Sequence, residues 1–146
     1  MAIDRADWHY GGNYPKELSP ENGGTHIGMF LAWIILNNLE GSELKDYAQD
    51  SLRAVRTRQM TGREFLFKEC DEKLIESDLN DEGNAFAAWY YSRPDDSMPY
   101  VADYADALAN DLPTVYHVAD TWENYDKVAP VISAAYAEWK ATQGRF

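Results

Sequence analysis

Thr25-His26-Ile27-Gly28-Met29-Phe30-Leu31-Ala32-Trp33-Ile34-Ile35-Leu36-Asn37-Asn38 reads as a helix without a polar face. Its apolar side chains fall on every side of a 3.6-residue turn, and such a helix belongs at the centre of a domain. Thr25 stands where an N-cap is expected, Gly41 where the helix can stop, and Ser42 where the next can be capped. The apolar run Ile27–Leu36 covers about ten residues, half of the roughly 20 that a bilayer span requires. No membrane partner is therefore expected.

Outward from this helix the same period recurs. Leu44, Tyr47, Ala48, Leu52 and Val55 predict an amphipathic helix from about Glu43 to Arg58. Thr61 and Glu64 have capping-box spacing ahead of Phe65, Leu66 and Phe67, which predicts a short helix over 61–69. Further helices are expected over 80–92, over 100–109 and from Pro130, at its favoured first position, to Thr142. Arg93-Pro94-Asp95-Asp96-Ser97 is a turn signal. Residues 1–24, rich in Gly, Pro, Asn and aromatics, read as an irregular arm. No alternating strand pattern of any length occurs, although 114–118 could pair briefly. The expectation is a mainly α protein, one domain over 1–146, with about five to six helices and an irregular N-terminal arm.

Composition narrows the function. The chain has 146 residues, 25 acids and 13 bases, for a net charge of −12, and aromatics make up 14%. An excess of acid of this size argues against nucleic acid and anionic membranes and fits a basic partner. The charge is uneven: residues 74–126 carry 12 acids and only Arg93 as a base. Ordinary surfaces mix both signs. Tyr and Trp stand among these acids, and both are strong interface residues as well as good core residues. The candidate partner-binding residues are Asp95, Asp96, Tyr100, Asp103, Tyr104, Asp106, Asp111 and Glu123.

Signals for chemistry are sparse. His9, His26 and His117 have no zinc-ligand spacing, and His26, opening the apolar helix, reads as a structural histidine. No serine lies in a nucleophile elbow. Gly23-Gly24-Thr25 lacks the lysine of a phosphate loop and reads as a turn with a cap. Asp78-Leu79-Asn80-Asp81-Glu82-Gly83 imitates a calcium loop, but its twelfth position is Trp89 rather than Glu. Cys70 is the single cysteine, and its acidic neighbours disfavour a reactive thiolate. The N-terminal residues show no basic stretch leading into an apolar one, so a reduced, cytoplasmic location is expected. No catalytic residue, metal site or cofactor is expected, and the protein is read as a non-enzyme.

Trp8-His9-Tyr10, Tyr14-Pro15, Thr25 through Trp33, Asp78-Leu79-Asn80, Gly83-Asn84-Ala85-Phe86, and Tyr116-His117-Val118 with Asp120 through Tyr125 resemble an uncharacterised bacterial domain family. Its members look like small, acidic, cytoplasmic proteins encoded beside secreted antibacterial toxins. The resemblance implies an immunity protein that neutralises a cognate toxin, for instance a basic nuclease, by direct protein–protein interaction. The alternatives are a non-toxin adaptor or regulatory binding domain and, less favoured, a small enzyme using Asp, Glu and His.

Overall fold

The apolar helix forms as expected and sits in the middle. In the computed structural model, which describes residues 2–143, α1 spans Thr25–Leu36, and every residue from Thr25 to Ile35 is buried. Its end is not set by Gly41. Asn38 takes a left-handed φ of 59°, with Asn38 N–H donating to Ile35 O and Leu39 N–H to Ile34 O. This paired closure ends a helix, and Asn is the non-glycine residue that tolerates it best. Thr25 is the first helical residue rather than the cap. A 3-10 turn at Pro20–Gly24 runs straight into α1, and Thr25 Oγ1 instead accepts from Arg63. Ser42 likewise opens its helix rather than capping it; Gly41 stands at the cap.

The remaining helices are α2 (Ser42–Tyr47), α3 (Gln49–Arg56), α4 (Gly62–Glu69), α5 (Asp81–Tyr90), α6 (Pro99–Leu108) and α7 (Trp122–Gln143). The protein is mainly α and compact. The single helix expected over 43–58 is broken at buried Ala48, which ends α2 and caps α3. The break turns Tyr47 out of the core; it is 57% exposed and its hydroxyl donates to Glu69 O. The Thr61–Glu64 capping box is present in full. The last helix starts eight residues before Pro130, because Tyr125 and Val128 already bury one face there. Pro130 is exposed, so solvent can take the Asp126 carbonyl that its missing N–H leaves without a helical donor.

The arm is more ordered than its composition implies. Ala2–Arg5 (β1) pairs antiparallel with Lys73–Ile75 (β2), Asp4 opposite Leu74, and a 3-10 turn follows at Ala6–His9. Residues 115–117 form another 3-10 turn rather than a strand. The core is an aromatic stack on α1. Phe30 and Trp33 meet Phe86 of α5, Phe86 meets Tyr90 and Trp139, and Tyr91 and Tyr100 close on Phe30.

Candidate functional site

α6 lies in the middle of the acidic segment. Pro99 fills the favoured first position of that helix, and the preceding turn is shaped by Asp96 at a φ of 67°. Asp95 accepts from both the backbone N–H and the hydroxyl of Ser97, which holds its carboxyl below the usual range. Asp95, Asp96, Asp106 and Asp111 are all exposed. Among the described residues none of them is ion-paired. Glu123, on the first turn of α7, is exposed with only Lys127 at 4.0 Å.

The other expected members are not on this surface. Tyr100 and Tyr104 are fully buried, because the four-residue spacing that puts them on one helical face points that face at α1. The Tyr100 hydroxyl donates to His26 O at 2.6 Å. Both are core residues, which corrects their assignment as partner contacts. Asp103 is half-buried and accepts from Tyr90 Oη at 2.6 Å, so it serves the core edge. Elsewhere in the segment Asp126 makes a two-pronged pair with Arg58, and Asp120 receives Thr61 and Arg63.

A second constellation has no single sequence signal. β1 brings Asp4, the following turn brings His9, and the first turn of α1 brings His26 to one point. His9 Nε2 lies 2.9 Å from Asp4 Oδ1 and His26 Nε2 3.0 Å from Asp4 Oδ2. Tyr91 Oη donates to Oδ2 at 2.5 Å and Arg5 N–H to Oδ1 at 2.7 Å. Tyr116 Oη stands 2.7 Å from His9 Nδ1. Burial opposes charge on Asp4, but the bonds from His26, His9 and Tyr91 outweigh it and hold the carboxyl well below its ordinary range. Burial pushes His26 down, against the pull of Asp4. His26 is a buried, hydrogen-bonded structural histidine, as its place at the start of the apolar helix implies, but residue spacing did not show its convergence with Asp4 and His9. The available signal was that both His9 and His26 lie within the resemblance motifs.

Other motif residues are structural. Asn80 caps α5 by accepting from Gly83 N–H, and Asn84 Nδ2 donates to Glu76 O and Leu79 O. Buried Asp78 accepts from Ile75 N–H. Burial raises its pKa from 3.8 to about 6, against that hydrogen bond, with Glu43 adding to the rise. The folded state therefore favours the protonated acid. The cost of the charged form is complete above about pH 6 and gone below about pH 4. Relative to Asp78→Asn, wild type should gain about 2–3 kcal/mol between pH 7 and pH 4, read by urea unfolding at both values. A difference that stays constant across that range would show that Asp78 is not protonated on acidification. Cys70 is half-buried, and burial first, then Asp78 and Glu69, push its thiol far up, so it is not a reactive thiolate.

An open cleft of about 690 Å³ lies elsewhere, lined by Glu21, Met60, Thr61, Arg63, Phe67 and Asp120 among others. Among its charged residues Arg63 pairs with Asp120 at 3.3 Å and with Glu21 at 4.0 Å. Among the described residues no helix is long and apolar enough to cross a membrane. Residues 2–118 match the family model described as Domain of unknown function (DUF7832), a span that contains Asp4, His9, His26, Tyr91 and Tyr116. No curated protein and no solved structure matches the chain.

Proposed function

We propose that the chain, which belongs to the DUF7832 family, is an immunity protein that neutralises a cognate bacterial toxin by binding it through the acidic surface around α6. The observation that carries this reading is the exposed set Asp95, Asp96, Asp106 and Asp111, none of them ion-paired among the described residues, in a chain of net charge −12. Such a surface accelerates encounter with a basic protein and repels nucleic acid. A basic nuclease domain fits that chemistry, and nuclease–immunity pairs reach the tightest affinities known. Leu112, 38% exposed beside Asp111, adds an apolar contact next to the charges. The enzyme reading has less support. The Asp4 carboxylate already accepts four hydrogen bonds, and the large cleft is lined by other residues.

The test is to change Asp95, Asp96, Asp106 and Asp111 together to Asn and follow association with the proposed cognate toxin. Folding should survive, since exposed substitutions each move stability by about 0.5 kcal/mol or less. The association rate at low salt should fall by about tenfold or more, and the steep salt dependence of wild type should flatten. Equal low-salt rates for both proteins would move the binding surface to another face. Protection of cells without a detectable complex would favour the enzyme reading.

A further inference from the structure

We propose that Asp4, His9 and His26 form a binding site for a divalent transition-metal ion of the zinc class. One ligand atom from each lies within 4.8 Å of the other two. Two donors about 2.1 Å from a tetrahedral ion stand about 3.4 Å apart, so the widest pair must draw in by up to about 1.4 Å, a movement within reach of the partly exposed His9 ring. Two imidazoles and one carboxylate are the donor set that borderline divalent ions take, and three protein ligands leave a fourth position open.

The surroundings fit an ion as well. Asp4 is a buried carboxylate that no Lys or Arg pairs among the described residues; its only ion-pair partners are the two histidines. A divalent ion would take the place of the two histidine protons that now face Asp4, while the Tyr91 hydroxyl and the Arg5 N–H keep their bonds to it. Tyr116 Oη, 2.7 Å from His9 Nδ1, is the outer partner that fixes a ligating ring while its Nε2 faces inward. His26 and Asp4 are set by α1 and by the β1–β2 pairing, so they are in place before an ion arrives. The His9 side chain is 19% exposed and forms the outer wall through which an ion enters. Bound there, the ion ties the N-terminal arm to the central helix.

The alternative is a hydrogen-bonded network that takes no metal, and His9→Gln separates the two. A Gln amide can still donate to Asp4 and His9 is not a core residue, so the variant folds in either case. The chelator-treated protein is titrated with Zn²⁺ by calorimetry and with Co²⁺ by visible absorption. Wild type should bind one equivalent of each, Co²⁺ should develop the bands of an ordered low-coordinate site, and Zn²⁺ should raise the unfolding midpoint. His9→Gln should weaken Zn²⁺ binding by about tenfold or more. His117→Gln, which removes a histidine outside the cluster, should bind as wild type does. Wild type that binds neither ion, or His9→Gln that binds as tightly as wild type, overturns the proposal.

Discussion

Trp33→Ala is expected to lower unfolding stability by about 3–5 kcal/mol, a large part of the 5–15 kcal/mol that holds a typical domain together. Trp33 is 1% exposed at the middle of α1. Its ring meets Phe30, Phe86 and Tyr136, and its Nε1–H donates to Ser133 Oγ at 3.0 Å, joining α1 to α5 and α7. Truncation opens a cavity among stiff aromatic neighbours that cannot collapse into it. Trp33→Phe keeps part of the volume and loses the hydrogen bond, so its loss should be well under that of the Ala variant. Urea or guanidinium unfolding, with an unchanged slope, measures both. A midpoint that stays at the wild-type value in the Ala variant would place Trp33 outside the core.

Gly28→Ala and Gly62→Ala should each cost about 3 kcal/mol or more, even though Ala is the better helix former by about 1 kcal/mol. Here α1 and α4 touch backbone to backbone. A Cβ on Gly28 would stand 2.3 Å from Arg63 N, and one on Gly62 1.8 Å from Gly28 O. Backbone atoms cannot rotate aside as a side-chain tip can, so the helices must separate. Gly11→Ala is the matched control, since nothing lies within 4 Å of its would-be Cβ, and its stability should stay within about 0.5 kcal/mol of wild type. Thermal or denaturant unfolding of the three variants gives the comparison. Wild-type stability in both helix variants would mean that the crossing is looser than these contacts imply.

Features that act within a turn or two of helix could be read from the residues. The all-apolar face of α1, the capping box of α4 and the α5 and α6 segments were legible because caps and 3.6-residue periods act locally. The burial of Trp33 followed from the same pattern, and the concentration of acid in residues 74–126 needs only counting. Tertiary structure alone decided the rest. Whether Tyr100 and Tyr104 form a core face or an interface depends on what α6 packs against, and α1 was there to cover them. Pro130 reads locally as a helix start, yet Tyr125 and Val128 bury an earlier stretch and carry the helix through it. The strands are too short to show alternation and pair across nearly the whole arm and the first four helices. Asp4, His9 and His26 lie on a strand, a turn and a helix with no shared period. Their meeting depends on that long-range pairing and on the entry angle of α1, which residue spacing does not encode.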